Sequence, residues 1–519
     1  MSQGRGAPSS SALAQRLRSA ARHLLDVIPP AEPDVCQDAS VLLDALTRSV
    51  RQRPSPDRVW LLLVAVSGSL PTDAEVTEAR RALELRDTLE STVWLLRTGM
   101  ELAEAGETGG RELRIVAGGV LADVQFTARN DLHTGIQRVV RHTLPVWRRS
   151  RDVLPVVWNS ARTSLQGLTD AEAERVLNWG ADSRDAGQRH GSGQGRAADD
   201  ADLGPVIVPW RSVVVLPEVP MPAVNDRLTA IARSSGNELA VIGYDCIPIV
   251  SADLMPDGES EKFVHYLSVI KHARRICAIS ESSAAEFAGF ADMLATQGLR
   301  RPEVSSCLLP VEPPTTTGAD ETAAAPAVPS ILCVGSFEPR KNQLGLLHAA
   351  EVLWREGLDF ELVLIGGSGW GRDIPARIRA LRGKRRRITV RRRVTDEQLQ
   401  AAYRAARFTV FASLHEGYGL PVAESLAAGA PAITTRYGST AEIARGGGVL
   451  LVDPRDDQTL VTAMRDLLTD DALLRRLTDE IAARRPRGWQ DYADELWHAL
   501  VTGAPGRHAC LPTAEGVAS

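Results

Sequence analysis

The spacing of hydrophobic positions divides this chain into a helical beginning and a longer region of alternating strands and helices. Within residues 1–110, Leu, Val and Ile recur at helical spacing over 12–28 and 39–50, and residues 72–75 have the form of a capping box. Residues 59–66 are apolar throughout, which fits either a strand or a buried helix. The pattern predicts a helical appendage. Its role is open between a docking or oligomerisation module and a cap on the following domain.

After residue 110, short apolar runs of strand length recur with helical stretches between several of them. The runs predicted as strands in this part of the chain are 113–116, 153–158, 206–208, 212–216, 239–242, 275–279 and 306–309. This alternation predicts a doubly wound α/β domain over 111–311. Residues 183–204 are polar and glycine-rich, which predicts a mobile loop, and the composition of 312–328 predicts an interdomain linker.

A second α/β unit is predicted over residues 408–435, with a buried strand, a polar turn, a helix and another buried strand. Pro421 suits the first turn of that helix and Gly429 suits its end. Glu416 then lies in the turn at the carboxyl end of the strand, with Glu424 in the helix. Ligands bind at this edge of open α/β sheets, and carboxylates accept hydrogen bonds from sugar hydroxyls. Alternatively, Glu416 caps the helix and Glu424 is an ordinary solvated residue.

Two segments in the C-terminal half of the chain carry clustered cations. The strand at 330–335 ends in Gly335, and Arg340 and Lys341 precede the next helix. Two cations beside a helix N-terminus favour a diphosphate, although they could also be a solvated pair. Residues 372–393 are strongly basic. They could contact an anionic membrane or a lipid-diphosphate acceptor, or form a solvated face.

Composition excludes several classes of protein. The formal net charge of −5 over 519 residues argues against a bulk nucleic-acid binder. Six cysteines are scattered without a CxxC or Cys/His cluster, so we expect neither a disulfide framework nor a zinc site. No signal-peptide layout or bilayer-length apolar run stands out, which predicts a soluble, cytoplasmic protein. No acidic motif for a metal cofactor is evident.

The segment EGYGLPVAE, from Glu416 to Glu424, resembles the Glu-x7-Glu signature of retaining nucleotide-sugar glycosyltransferases of the GT-B fold, in particular glycosyltransferase family 4 (group 1). Residues 335–342 resemble that family's G-x-x-x-x-[RK]-K-N motif. The resemblance is strongest over 329–454, weaker over 114–311 and absent before 110.

This resemblance implies a domain organisation. We expect two Rossmann-like α/β domains that face each other across a cleft. The acceptor domain would be 111–311, completed by a returning helix at 489–502. The nucleotide-sugar domain would be 329–488, and a disordered tail would follow at 503–519.

The resemblance also implies roles for individual residues. Arg340 and Lys341 would bind the diphosphate, Glu424 the ribose and Glu416 the transferring sugar, with retention at the anomeric carbon and no metal. Val394 lies just before a helix, where the backbone of relatives binds the base. The residues implied in donor binding are Gly335, Arg340, Lys341, Gly419, Leu420, Glu424, Val394 and Gly135. Those implied in catalysis are Glu416, Asp245, Arg340 and Lys341.

Three segments of the N-terminal half resemble motifs of the same relatives. Gly135 belongs to a TGIQRV segment. In a bacterial subset of the family, the glycine loop of this segment faces the donor phosphate. Alternatively, Gly135 is merely a turn residue. Asp245 belongs to a sequence like His-Asp-x-x-Pro, with Tyr244 in place of histidine. Asp245 would position the acceptor hydroxyl or cap a turn. Ser280 begins a strand-to-helix turn that lines the cleft or caps the helix.

These features predict a bacterial glycosyltransferase. It would move a hexosyl group, mannose- or rhamnose-like by analogy, from a nucleoside-diphosphate sugar to a glycan, lipid-linked or small-molecule acceptor. A GT-B sugar-nucleotide epimerase and a non-catalytic binding or scaffold protein are the alternatives. The intact charged motifs argue against the scaffold, whereas Tyr244 mildly favours it. Peripheral membrane contact and oligomerisation through 1–110 are further expectations, and nucleic acid is not expected as a partner.

Overall fold

The computed structural model describes residues 10–179, 204–310, 328–485 and 487–503. The loop predicted at 183–204, the linker at 312–328 and the tail at 503–519 lie outside these ranges, apart from Gly204, Val328 and Gly503.

Helices alone make up the beginning of the described chain. They are α1 (Ser10–Leu24), α2 (Val35–Gln52), α3 (Pro56–Ser67), α4 (Asp73–Leu85) and α5 (Thr88–Gly106). The ambiguous run at 59–66 lies inside α3 and is buried throughout. Pro56 starts this helix and Gly68 ends it at a φ of 71°, so the flanking residues favour a helix over a strand. The predicted capping box is present at the start of α4, where Thr72 and Glu75 bond reciprocally.

A nine-stranded sheet forms the centre of the N-terminal half. Its strands are β1 (Leu113–Ala117), β2 (Val120–Asp123), β3 (Val153–Trp158), β4 (Leu165–Gly167), β5 (Val206–Trp210), β6 (Val213–Leu216), β7 (Glu238–Gly243), β8 (Arg275–Ala278) and β9 (Glu303–Ser306). Their order is β1-β5-β4-β3-β2-β6-β7-β8-β9, and β4 is antiparallel to β3 and β5 while the other pairs are parallel. The strand predicted at 306–309 was wrong in position, because β9 ends at Ser306.

Seven α-helices lie between these strands within residues 113–179 and 204–306. They are α6 (Gln125–Arg129), α7 (Gly135–Ser150), α8 (Asp170–Leu177), α9 (Asn225–Ser234), α10 (Ile247–Val250), α11 (Glu259–Ile270) and α12 (Glu281–Ala295).

The helices of residues 10–106 pack directly on this sheet. Leu17 and Leu42 share one hydrophobic core with Trp158 and Trp210 of the sheet. Arg16 of α1 is fully buried, and its guanidinium donates to backbone carbonyls of Ala65, Val66, Gly109 and Arg111 at 2.9–3.1 Å. Because these contacts join the first helix to the entry of β1, the appendage acts as a layer that covers the sheet.

A six-stranded parallel sheet forms the centre of the C-terminal half. Its strands are β10 (Ser330–Val334), β11 (Glu361–Ile365), β12 (Ile388–Arg391), β13 (Phe408–Phe411), β14 (Ala432–Thr435) and β15 (Val449–Val452). Their order is β12-β11-β10-β13-β14-β15. The order reverses between β10 and β13, which opens a crevice at their carboxyl ends.

The helices of this half complete the second domain and then return to the first. They are α13 (Gln343–Arg355), α14 (Asp373–Gly383), α15 (Asp396–Ala405), α16 (Leu420–Ala427), α17 (Gly438–Ala444), α18 (Asp457–Thr469), α19 (Asp471–Ala482) and α20 (Trp489–Trp497). Helix α20 packs on α7, where Trp147 Nε1 donates to Ala493 O at 2.8 Å. The prediction of two Rossmann-like α/β domains that face each other across a cleft is confirmed.

Candidate active site

The loops that follow β10 and β13 meet at the crevice of the C-terminal sheet. Gly335 directly follows β10 and has a φ of 148°, and a Cβ there would lie 3.0 Å from Lys341 Cδ. A Cβ on Gly366, which follows β11, would lie 2.0 Å from Gly335 O. Glycine is needed at 335 because the positive φ would strain any other residue, and at 366 because the backbone of Gly335 leaves no room for a side chain.

Arg340, Lys341 and Glu416 form a charged cluster at this crevice. Arg340 Nη1 lies 2.9 Å from Glu416 Oε2, and Lys341 Nζ lies 3.2 Å from Glu416 Oε1. Burial alone would raise the pKa of the Glu416 carboxyl, but Lys341 and Arg340 outweigh it and hold that pKa below its ordinary value. The carboxylate is therefore ionised, and it holds both predicted diphosphate cations.

Arg340 makes two further contacts, with Glu338 and with the backbone of His415. Its Nε lies 2.8 Å from Glu338 Oε2, and its Nη1 donates to His415 O at 3.2 Å. Burial tends to lower its pKa, but Glu416 and Glu338 raise it overall. Lys341, in contrast, has Glu416 as its ion-pair partner among the described residues and lies 5.2 Å from the Phe411 ring. Lys341 is thus held by fewer charged partners than Arg340.

Glu424 is held by residues from both domains. It lies on α16, which begins after Gly419 at a φ of 105°. Its Oε1 lies 2.6 Å from Nη1 of Arg138 on α7, and its Oε2 accepts from Tyr403 OH at 3.0 Å. Sequence reasoning placed Glu424 in the donor site but missed Arg138, although this arginine stands inside the quoted TGIQRV segment.

The Gly135 turn approaches the same helix from the N-terminal domain. A Cβ on Gly135 would lie 3.3 Å from Leu420 Cδ1. Gly135 begins the 16-residue helix α7, as the sequence predicted, but the short helix α6 separates it from β2. Gly135, Gly419, Leu420 and Glu424 are therefore brought together from opposite sides of the cleft.

Asp245 and Tyr244 follow β7 on the N-terminal wall. Asp245 Oδ1 accepts from Ile247 N at 3.1 Å, and a Cβ on Gly417 would lie 3.0 Å from Asp245 Oδ2. Burial raises the pKa of Asp245 to about 6. Tyr244 is buried, and its hydroxyl donates to Pro217 O at 2.7 Å, within its own domain. Asp245 therefore caps its turn and also lies beside the Glu416 loop, whereas the Tyr244 hydroxyl is occupied elsewhere.

The turn at Ser280 both caps a helix and crosses the cleft. Ser280 Oγ accepts from Ser283 N at 3.0 Å and donates to Gly417 O at 2.7 Å. Glu442, from the C-terminal domain, accepts the N–H groups of Glu281 and Ser282 at 2.8 and 2.7 Å. The two expectations for this turn are thus compatible, since the cap of α12 is shared between the domains.

Val394 belongs to a small apolar group and not to the charged cluster of Arg340, Lys341 and Glu416. It is half-buried and packs with Tyr403 and Leu332. The neighbouring Arg392 has its guanidinium carbon 6.0 Å from the centre of the Phe337 ring, in the loop that follows β10. This positions residues 392–394 near the same edge of the sheet, and the assignment of Val394 to the base stays a prediction.

Residues 328–470 match the model of the family Glycosyl transferases group 1. The resemblance carried by the Glu416 and Arg340 motifs is thereby confirmed for this segment. Over 382 residues the chain is 27% identical to the serotype-specific mannosyltransferase WbdA of Escherichia coli, covering 69% of this chain and 42% of WbdA. Over 143 residues it is 36% identical to the O-antigen chain mannosyltransferase B of Escherichia coli, covering 27% of this chain and 37% of that protein. The chain thus spans less than half the length of these curated relatives.

A solved structure has the same fold. The N-terminal domain of Candida albicans trehalose-6-phosphate phosphatase aligns with a TM-score of 0.50 at 11% identity, covering 73% of this chain and 95% of that one. The fold of the chain is GT-B, as predicted.

Three further findings bear on the expectations for a metal and for membrane contact. Among the described residues, no three or more His, Cys, Asp or Glu side chains form a group that could hold a metal ion. No helix in the described part of the chain is both long and apolar enough to cross a membrane. The cations of 372–393 are partly used internally, since Lys384 and Arg386 contact Glu351 at 3.3 and 2.9 Å.

Proposed function

We propose that this protein is a retaining glycosyltransferase that moves a hexosyl group from a nucleoside-diphosphate sugar to an acceptor hydroxyl. The match of residues 328–470 to group 1 glycosyltransferases supports the reaction class. The two Escherichia coli relatives are named as mannosyltransferases, which supports a mannosyl donor. The acceptor would be a glycan, since one relative is named for the O-antigen chain.

The cluster of Glu416 with Arg340 and Lys341 is the observation that carries this proposal. The diphosphate of the donor would take the place of the carboxylate beside the two cations, and Glu416 would turn to the hydroxyls of the transferring sugar. As the acceptor oxygen bonds to the anomeric carbon, the bond to the diphosphate breaks and negative charge grows on the leaving group, whose oxygen would take the proton of the acceptor hydroxyl. Fixed cations stabilise that charge without rearranging during the reaction.

Glu424 and residues across the cleft would hold the rest of the donor and the acceptor. Glu424 would bind the ribose, and Arg138 would then be released next to the diphosphate as a third cation. Asp245 would face the acceptor hydroxyl from the N-terminal wall. We further propose that no metal cofactor is needed, because the cations and the N-terminus of α7 supply the positive potential.

Peripheral contact with an anionic membrane through residues 372–393 and oligomerisation through 1–110 are also proposals. The exposed Arg379 and Arg385 support the first, and the exposed Leu89 and Val93 of α5 support the second. Vesicle flotation and light scattering of the purified chain test them separately.

The proposed function is tested first by binding and then by turnover. Thermal shifts with GDP, UDP, dTDP and their sugars identify the donor, since a ligand at about 100 times its Kd stabilises by ~2.7 kcal/mol. The identified sugar nucleotide is then incubated with and without glycan acceptors. Transfer of the sugar to an acceptor supports the proposal. Epimerised nucleotide sugar, or binding without any turnover, overturns it in favour of an epimerase or a scaffold.

A further inference from the structure

His415 links the two walls of the cleft immediately before Glu416. Its Nε2 lies 2.6 Å from Glu286 Oε1 on α12, and its Nδ1 lies 2.8 Å from Ser251 Oγ in the region that follows β7. The ring is largely buried, with 18% of its side chain exposed. One imidazole from the C-terminal domain is therefore bonded on both sides by the N-terminal domain.

The backbone around His415 is held from both domains as well. Arg340 Nη1 donates to His415 O at 3.2 Å, and Ser439 Oγ donates to Glu416 O at 2.7 Å. From the opposite domain, Ser280 Oγ donates to Gly417 O at 2.7 Å. The position of the Glu416 turn is thus set by side chains of both walls.

Glu286 extends this connection to the loop that carries Asp245. Its second oxygen, Oε2, accepts from the backbone N–H of Cys246 at 2.7 Å. Cys246 directly follows Asp245, so a continuous path of bonds runs from His415 through Glu286 to the Asp245 loop. Because Glu416 directly follows His415, the distance between Glu416 and Asp245 depends on this path.

We propose that His415 is a positioning residue that fixes Glu416 of the donor wall against Asp245 of the acceptor wall. This rests on the proposed function, in which Glu416 contacts the transferring sugar and Asp245 the acceptor. His415 itself touches neither substrate. It acts by aligning the two carboxylates, since a misplacement of about 1 Å between reacting groups costs on the order of a hundredfold in rate.

The charge of the imidazole matters for this alignment. Burial tends to lower the pKa of His415, but the bond and charge of Glu286, with the carboxylates of Asp245 and Glu416, raise it above its ordinary value. Ser251 bonds the other ring nitrogen, and the cation Arg340 bonds the backbone carbonyl of His415. A neutral ring can still donate from Nε2, yet it leaves the Glu286 carboxylate without its counter-ion. The ion pair between His415 and Glu286 is therefore fully formed below the ordinary pKa of histidine. It is lost as the pH rises through the raised pKa of His415.

The enzymatic test uses His415→Gln and Glu286→Gln in the full chain, with the exposed His348→Gln as the matched control. We expect kcat to fall about tenfold or more, as for loss of a charge-assisted bond, while donor KM changes little. In the wild type, kcat/KM should decline as the pH rises through the raised pKa of His415. This decline should disappear in His415→Gln, move to lower pH in Glu286→Gln and persist in the control. A wild-type kcat and an unchanged pH profile in His415→Gln would overturn the proposal.

A second measurement does not depend on turnover. Labelled histidine signals are titrated by NMR in the full chain, which has ten histidines, and the signal absent from His415→Gln identifies His415. We expect its pKa to lie above the ordinary value and to fall in Glu286→Gln. A pKa that Glu286→Gln leaves unchanged would show that the link is wrong. A confirmed link in a protein without transfer activity would instead overturn the proposed function.

Discussion

Arg138 and Glu424 meet across the cleft, with Nη1 of the arginine 2.6 Å from Oε1 of the carboxylate. The arginine lies one turn into α7 of the N-terminal domain, and the glutamate lies on α16 of the C-terminal domain. The carboxylate expected to bind ribose is therefore paired with a cation from the opposite wall. Any nucleotide that reaches Glu424 must displace or share this arginine.

Glu424→Gln should weaken nucleotide binding by about tenfold to a hundredfold, because a hydrogen bond to a charged group contributes ~1.5–3 kcal/mol. Calorimetry with the preferred nucleoside diphosphate measures the change. Glu78→Gln, on the exposed side of α4, is the control and should bind like the wild type. An unchanged Kd in folded Glu424→Gln would remove this residue from the donor site.

Arg138→Ala should lower the affinity for a nucleoside diphosphate by about tenfold while leaving the affinity for the nucleoside unchanged or higher. The reason is that the freed guanidinium pairs with phosphate, whereas its loss leaves Glu424 open to ribose. Isothermal titration of both ligands gives the comparison, with the exposed Arg149→Ala on the same helix as the control. An equal loss for both ligands would mean that Arg138 acts only through Glu424.

Glu416→Gln should reduce turnover far more than donor affinity, since its expected partner is the reacting sugar. Loss of the carboxylate also frees Arg340 and Lys341, so binding of the diphosphate itself should hold or increase. Steady-state kinetics together with directly measured donor Kd values separate the two effects. The assignment fails if the whole loss lies in donor dissociation.

Lys341→Ala should lower the rate by orders of magnitude, because it removes a charge partner of the departing diphosphate. The exposed Lys262→Ala should have no such effect. Activity of the wild type should also survive EDTA, since the cations would do the work of a metal. Complete inhibition by EDTA that Mg²⁺ or Mn²⁺ reverses would contradict this prediction.

Arg16→Ala should destabilise the fold by about 3 kcal/mol or more, because several buried carbonyls lose their donor at once. Denaturant unfolding measures the change, and Arg22→Ala, exposed on the same helix, should stay within about 0.5 kcal/mol of the wild type. Equal stability of the two variants would show that the appendage is only loosely attached.

Removal of residues 1–110 should uncover the apolar face of the N-terminal sheet and cause aggregation, because the helices of residues 10–106 share one hydrophobic core with that sheet.

The sequence by itself determined the local units of the candidate active site. The turn with Glu416, the helix with Glu424 and the glycine turn before Arg340 and Lys341 were predicted because strand, turn and helix signals act over a few neighbouring residues. The run at 59–66 could not be assigned in this way. An element buried on every side is apolar throughout, so the spacing of its hydrophobic residues does not distinguish a helix from a strand.

Only the tertiary structure decided which side chains meet across the cleft. Arg138 and Glu424 are 286 positions apart, and His415 and Glu286 are 129 apart. No periodicity or motif encodes such pairs, because they arise from the way two separately folded sheets are brought together. The tertiary structure likewise decided that residues 10–106 form a layer on the N-terminal sheet. Its amphipathic helices show that an apolar face is buried, but the partner of that face is fixed only by packing on the sheet.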